Sequence, residues 1–195
     1  MTKPIFSFYN RKLDIKNHTI GFIGEARVNK GFNKIPKFIE AIKIYNKDIN
    51  FIVQFSVSDD KTKDAIDQLR SLSLKYKNIQ IINKYCDHDE YRKILRKITI
   101  MPLLYELEQI RLGSGVLYSC VSHEIIPIIP NNSDYLKEII SPNSYLEANN
   151  LDSFVDNSLI IIKNYEKFLS HAKSSSKNLF QSIKKDFLIK NISKL

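Results

Sequence analysis

One segment near the start of the chain combines the residue types that bind phosphate. It reads Gly24-Glu-Ala-Arg27-Val-Asn-Lys30-Gly31 and therefore holds two cations between two glycines. Arginine and lysine neutralise phosphate oxygens, and glycine lets the backbone turn and approach a ligand closely. The spacing alone is a loose pattern, and an ordinary turn with two solvated cations fits it as well.

A second segment is typical of an anion site at the start of a helix. It reads Arg111-Leu-Gly113-Ser114-Gly115-Val116. The free amides at a helix N-terminus, a serine hydroxyl and the positive end of the helix dipole together attract anions. Simple N-capping by Ser114 is the alternative for this segment taken alone. Two such segments in one domain favour a phosphate-containing ligand more strongly than either segment does alone.

Apolar runs that alternate with amphipathic segments must position these two loops. Strands are predicted at residues 19–23, 50–57, 79–82, 98–104 and 125–129, with helices between them and a long C-terminal helix from residue 151. This alternation predicts an α/β fold, a doubly wound, Rossmann-like parallel sheet with helices on both faces. Ligands bind such sheets outside the carboxyl ends of the strands, so the loops after the first, third and fourth strands are where function is expected.

Several polar residues are expected to start helices. Asn33 is predicted to cap the first helix, with Pro36 in its first turn, and Asp59 or Asp60 to begin the second. The third helix is predicted over residues 87–96, with an acidic start and a basic end. Residues 131–134 are predicted to form a loop and a further helix cap.

Composition limits the classes of protein to consider. The chain of 195 residues has no segment rich in glycine, serine or proline that would divide it, and no apolar run long enough to span a bilayer. Its N-terminal residues lack the pattern of a secretory signal, which predicts a cytoplasmic protein with Cys86 and Cys120 as free thiols. Cys120 is expected in the core, and no spacing of the four histidines predicts a metal site.

The net charge of +9 is concentrated at the two ends, in residues 1–18 and 163–195. Nucleic-acid-binding domains more often carry such an excess on one folded face, so no nucleic-acid partner is predicted. Lysines at the C-terminal end fit a solvated helix surface. The alternative is a weak peripheral contact with an anionic membrane, such as the inner membrane surface.

In the order and spacing of its motifs, the sequence resembles a known family over residues 17–170. Residues 24–32, Gly-Glu-Ala-Arg-Val-Asn-Lys-Gly-Phe, are similar to a motif in the C-terminal, donor-binding domain of the retaining, group 1 glycosyltransferases of GT-B fold. Met101-Pro102, Arg111 to Val116 and Pro127-Ile-Ile129 resemble a second conserved segment of that domain. The resemblance implies a single GT-B half-domain.

The resemblance implies transfer of a sugar from a nucleotide-diphosphate donor, a UDP- or GDP-sugar, with no metal or other cofactor. Arg27 and Lys30 would hold the donor pyrophosphate with help from Arg111. The residues at the helix N-terminus that would contact the pyrophosphate are Ser114, Gly115 and Val116. Gly24 and Gly31 would shape the loop. Tyr85 lies where the family binds the donor base, although a partly buried loop tyrosine is the favoured interpretation.

Two features depart from the family. The glutamate that binds donor ribose is replaced by Ser119 or Cys120, depending on a one-residue choice of register. In addition, the family has a second, N-terminal domain that binds the acceptor, so such a domain or a partner chain is expected. The alternative function is a non-catalytic, glycosyltransferase-like interaction domain that needs or regulates a partner chain.

The chain is predicted to divide into three parts. Residues 1–18 would form an N-terminal extension or linker, residues 19–170 the nucleotide-sugar-binding domain, and residues 171–195 a basic C-terminal helix. The acceptor would belong to polysaccharide or glycan biosynthesis.

Overall fold

The structure is a computed structural model that describes residues 18–106 and 114–192, with side chains as far as residue 184. It contains a six-stranded sheet in which all paired strands are parallel. The strands are β1 (Thr19–Ile23), β2 (Asn50–Phe55), β3 (Ile79–Asn83), β4 (Ile100–Pro102), β5 (Ile126–Pro130) and β6 (Leu146–Ala148). Their spatial order is β3-β2-β1-β4-β5-β6. The predicted doubly wound, Rossmann-like fold is confirmed.

Helices cover both faces of this sheet. They are α1 (Ile35–Tyr45), α2 (Lys63–Lys75), α3 (His88–Leu95), α4 (Gly115–Ser122), α5 (Asp134–Lys137), α6 (Leu151–Lys163) and α7 (Tyr165–Ile192). The buried residues of α1, α2 and α6 belong to one apolar cluster, and those of α3, α4 and α5 belong to another. α7 joins the two, because Leu169 belongs to the first cluster and Leu179 packs against the second.

Two elements differ from the prediction at the C-terminal side. The short strand β6 was not predicted, because three residues give no readable alternation. The predicted helix from residue 151 ends at Lys163, and α7 begins at Tyr165, earlier than the basic helix predicted from residue 171. The two helices meet at Asn164, whose backbone leaves the helical region. The Asn164 side chain donates a hydrogen bond to the Ile160 carbonyl and so helps to end α6. The division proposed between residues 170 and 171 lies within α7.

The predicted helix starts have mixed outcomes. Asp87 forms a capping box with Glu90 at the start of α3, as its acidic start indicated. Asp59 caps a 3₁₀ turn that leads into α2. The prediction for Asn33 is wrong, because its side chain donates instead to the carbonyl of Lys61.

A preceding 3₁₀ turn over Phe32–Lys34 leads directly into α1, so that this helix starts without a side-chain cap. Pro36 lies in the first turn of α1, as predicted. Ser133 occupies the N-cap position of α5, but its hydroxyl donates to the Pro130 carbonyl and makes no capping bond.

Cys120 lies in the core, as predicted, with no exposed surface. Its sulfur is 3.4 Å from that of Met101 on β4. Both Cys86 and Cys120 are free thiols.

A buried ammonium group ties α1 to the amino ends of two strands. Lys43 is 1% exposed, and its Nζ donates to the carbonyls of Lys47 and Ile49, each at 2.8 Å, and to Oδ1 of Asn78 at 2.6 Å. Burial lowers the pKa of Lys43 to about 8, while Asp48 acts in the opposite direction. The three acceptors offset part of the lost hydration and fix the turn between α1 and β2.

We expect Lys43→Met to lower the free energy of unfolding by about 1–3 kcal/mol, because the carbonyls of Lys47 and Ile49 and Oδ1 of Asn78 lose a charged donor. The two carbonyls still accept from Nδ2 of Asn78, which limits the loss. Urea unfolding followed by circular dichroism measures this loss. Lys47→Met makes the same change of charge on an exposed side chain four residues away and should shift stability by less than about 0.5 kcal/mol. Equal stability of the two variants would contradict a structural role for the buried ammonium.

Candidate functional site

The order of the strands reverses between β1 and β4, and a cavity lies at their carboxyl ends. Sheets of this topology bind ligands at such a reversal. The loop after β1, residues 24–31, is called the first loop below, and it contributes Gly24, Glu25 and Lys30 to the lining. Tyr105 and Val116 come from the segments that follow β4. Both regions singled out in the sequence therefore contribute residues to one cavity.

The first loop adopts a conformation that requires glycine. Gly24 and Gly31 have φ angles of 122° and 72°, in the region that side-chain-bearing residues rarely adopt. A Cβ at Gly31 would also lie 1.9 Å from the carbonyl oxygen of Leu104. Glycine at position 31 therefore serves two purposes, since it allows the turn and admits the close approach of the backbone that follows β4.

Backbone hydrogen bonds hold the loop against both neighbouring strands. The amide of Ala26 donates to the Val57 carbonyl at 2.8 Å, beyond the end of β2. The amide of Glu106 donates to the Asn29 carbonyl at 3.0 Å, beyond the end of β4. These two bonds hold the loop on both sides.

Arg27 and Lys30 have different environments. Arg27 forms an ion pair of 2.9 Å with Glu25, and both side chains are about half exposed. Arg27 itself is not among the lining residues, whereas Glu25 is. Exposed ion pairs of this kind contribute at most about 1 kcal/mol, so an incoming anion can compete for the guanidinium group.

Lys30 lines the cavity, and its ammonium lies over the ring of Tyr105, 4.3 Å from the centroid. Burial lowers the pKa of Lys30; Glu25 acts to raise it and Arg27 to lower it. A partly dehydrated cation interacts more strongly with an anion than a fully hydrated one does. Among the described residues, Lys30 is therefore the cation best placed to meet an anion in the cavity.

Ser114 is the N-cap of α4, which was the alternative interpretation of this segment, and its hydroxyl points into the protein. Its Oγ accepts a hydrogen bond from the Leu117 amide at 3.2 Å and shares one of 2.9 Å with the Tyr105 hydroxyl. Only 2% of Ser114 is exposed. Its hydroxyl fixes the start of α4, and the amides of Gly115 and Val116, in the first turn, are of the kind that has no acceptor within a helix.

The remaining predicted residues lie apart from the cavity or outside the described residues. Arg111 and Gly113 fall in the segment between residues 106 and 114, outside the described residues. Tyr85 is 82% exposed, so its interpretation as a partly buried tyrosine is wrong. It follows the edge strand β3, which has a neighbouring strand on one side only.

Ser119 and Cys120 are the two candidates for the position at which the family that the sequence resembles binds donor ribose, and neither carries a carboxylate. Cys120 is buried in the core, and the hydroxyl of the partly exposed Ser119 donates to the Gly115 carbonyl at 3.0 Å. Within residues 18–106 and 114–192, no group of three or more histidine, cysteine or acidic residues is arranged to hold a metal ion. No helix in the same residues combines the length and apolarity needed to cross a membrane.

The sequence analysis missed three residues of the site. Tyr105 and Glu25 line the cavity, and Gln54, also in the lining, is almost fully buried at the end of β2. Gln54 donates to the Lys84 carbonyl at 3.0 Å and so connects β2 to the loop after β3. The available signal for Glu25 and Tyr105 was position, because each follows a predicted strand at the carboxyl edge of the sheet. Gln54 lies within the predicted strand 50–57, so its position gave no such signal.

Comparisons with known proteins find matches of structure and none of sequence. No protein-family model and no curated protein sequence matches the chain. The C-terminal domain of a group 1 family glycosyl transferase, LpcC from Francisella tularensis, is similar with a TM-score of 0.67 and 16% identity, over 84% of this chain and 85% of that one. HepE from Anabaena, solved with UDP and glucose, has a TM-score of 0.67 and 9% identity over 93% of this chain.

The chain spans about half of HepE, 50% of its length. It spans 45% of a putative UDP-N-acetylglucosamine 2-epimerase from Listeria monocytogenes, with a TM-score of 0.59 and 13% identity. The fold is therefore that of the C-terminal domain of GT-B glycosyltransferases, as the sequence resemblance implied. Since the epimerase has a similar fold, the fold alone does not identify the reaction.

The glycines of the site provide a matched pair of substitutions. We expect Gly31→Ala to lower the free energy of unfolding by about 3 kcal/mol or more, because it combines a left-handed backbone with a clash against the Leu104 carbonyl. Gly115→Ala places its Cβ in the first turn of α4, where no described residue beyond its chain neighbours and the α4 backbone has an atom within 4 Å. It should leave stability unchanged or raise it by up to about 1 kcal/mol. Thermal unfolding of both variants measures the difference, and a well-folded Gly31→Ala protein would refute the close approach.

Proposed function

We propose that this chain is the donor-binding domain of a glycosyltransferase that transfers a sugar from a nucleotide-diphosphate sugar. The observation that carries the proposal is the convergence of Lys30 and the first turn of α4 on one cavity at the strand reversal. A lysine ammonium and the amides of a helix N-terminus are complementary to a diphosphate. The solved complex of HepE with UDP and glucose supports the choice of ligand.

The same groups would assist the departure of the nucleoside diphosphate. Negative charge grows on the diphosphate as the bond to the sugar breaks, and fixed cations and amides stabilise that charge. Lys30 and the amides of Gly115 and Val116 would act from fixed positions. Arg27 would add its charge after exchanging Glu25 for a phosphate oxygen, and Arg111 is proposed to assist.

The acceptor is proposed to bind elsewhere. Because the chain spans about half of HepE, an N-terminal acceptor domain or a separate partner chain would complete the enzyme. Residues 19–170 would form the nucleotide-sugar-binding domain, acting in the cytoplasm in polysaccharide or glycan biosynthesis. The basic C-terminal helix would provide any weak contact with an anionic membrane surface.

A specific observation favours a second candidate, a non-catalytic interaction domain. In the family that the sequence resembles, a glutamate binds the donor ribose, and neither Ser119 nor the buried Cys120 supplies such a carboxylate. A domain that kept the fold and lost nucleotide binding would regulate a partner chain. Nucleotide titration separates the two candidates, since only the donor-binding domain requires affinity for a diphosphate.

Isothermal titration with UDP, GDP and ADP tests the proposal. We expect saturable binding of UDP or GDP, weakened roughly tenfold or more by Lys30→Ala through loss of a charge-assisted contact, and weakened less by Arg27→Ala. Lys37→Ala removes the same charge from an exposed position on α1 and should leave affinity unchanged. Absence of binding at millimolar nucleotide, or binding that neither Arg27→Ala nor Lys30→Ala affects, would refute the donor site.

Removal of the carboxylate beside Arg27 should strengthen binding. Glu25→Gln frees the guanidinium group and removes a negative charge from the cavity lining, so we expect affinity for the diphosphate to rise roughly threefold. Glu40→Gln, an equal change of charge on the exposed side of α1, serves as the control. Weaker binding by Glu25→Gln would show instead that Glu25 contacts the ligand.

A further inference from the structure

Tyr105 makes a separate contact with each half of the candidate site. It follows β4 and is 8% exposed. One face of its ring lies under the ammonium of Lys30, 4.3 Å from the centroid, and its hydroxyl shares a hydrogen bond of 2.9 Å with Ser114. Ser114 in turn accepts from the Leu117 amide in the first turn of α4.

The backbone next to Tyr105 is fixed by the first loop. The Leu104 carbonyl packs against Gly31 so closely that a Cβ there would be 1.9 Å away. The amide of Glu106 donates to Asn29 at 3.0 Å. The backbone of Tyr105 is thus held from both sides along the chain, and its ring and hydroxyl each have a defined partner.

We propose that Tyr105 is a positioning residue, which sets the place of Lys30 through its ring and the place of the α4 N-terminus through its hydroxyl. This inference rests on the proposed diphosphate site and adds to it a residue that need not touch the ligand. The ring attracts the ammonium because the face of an aromatic ring carries partial negative charge. The hydroxyl limits the rotation of Ser114 and so fixes the first amides of α4.

The two functions of Tyr105 can be removed one at a time. Tyr105→Phe keeps the ring under Lys30 and deletes the bond to Ser114. Tyr105→Leu deletes both contacts while keeping an apolar side chain in the core. We expect the affinity for UDP or GDP to fall roughly threefold in the first variant and roughly tenfold in the second.

Double-mutant cycles distinguish positioning from a general loss of structure. If the ring acts through Lys30, the step from Tyr105→Phe to Tyr105→Leu should cost affinity in the wild-type background and almost none in Lys30→Ala. If the hydroxyl acts through Ser114, Tyr105→Phe should weaken binding in the wild type and have little further effect in Ser114→Ala. Circular dichroism and thermal unfolding confirm that each full-length variant is folded.

A spectroscopic measurement tests the ring contact without any nucleotide. The ring current of Tyr105 should shift the ε-methylene protons of Lys30 upfield in the wild-type protein and in Tyr105→Phe. The shift should disappear in Tyr105→Leu. An unchanged Lys30 signal in Tyr105→Leu would overturn the contact on which the positioning depends.

The outcomes separate this inference from the proposed function. If the wild-type chain binds no nucleoside diphosphate, the donor site is refuted and the role of Tyr105 is refuted with it. If the wild type binds and Lys30→Ala weakens binding, but the effects of the Tyr105 variants are absent or add fully to those of Lys30→Ala and Ser114→Ala, the positioning role alone is overturned.

Discussion

The candidate site depends on the close approach of two backbone segments, at Gly31 and at the carbonyl of Leu104. No side chain fits between them, because a Cβ on residue 31 would lie 1.9 Å from the carbonyl oxygen. This contact sets the distance between the loop after β1 and the segment after β4. Lys30 and Tyr105 are the adjacent residues on the two sides, so the backbone contact also brings the ammonium over the ring.

The topology of the sheet explains why these segments meet. β1 and β4 are hydrogen-bonded neighbours although β2 and β3 lie between them in sequence. The chain runs outward from β1 to β3 and then returns to the other side of β1. The crossover connections diverge at this point and leave a crevice at the carboxyl edge of the sheet. Parallel pairing therefore brings together two loops that are about 80 residues apart in sequence.

Sequence patterns predicted the elements of the fold better than the side-chain contacts of the site. The alternation of strands and helices identified five of the six strands, and the short β6 was missed because it has too few residues to show a pattern. N-capping by Ser114 was one of two interpretations that the sequence offered, because capping is a local property. The direction of its hydroxyl depends on Tyr105, nine residues earlier in sequence, and no local rule predicts that partner.

Side-chain exposure was the least predictable property of the site. Tyr85 follows a strand and contains a large ring, which favours burial on composition alone. The strand is at the edge of the sheet, and 82% of the side chain is exposed. The pairing of Arg27 with Glu25 was missed for a related reason, because residues two apart in a turn meet only when the backbone takes a particular path.

The two cations of the first loop are held in different ways, and the difference bears on how the site would work. Lys30 is partly dehydrated and lies against a buried ring, so its position is set by the fold. Arg27 is held by one exposed ion pair with Glu25, a contact that an anion can replace at little cost in free energy. Charge that is fixed in advance stabilises a developing negative charge without reorganisation. A movable guanidinium can instead follow a diphosphate as it binds and leaves, so the first loop combines one fixed cation with one exchangeable cation.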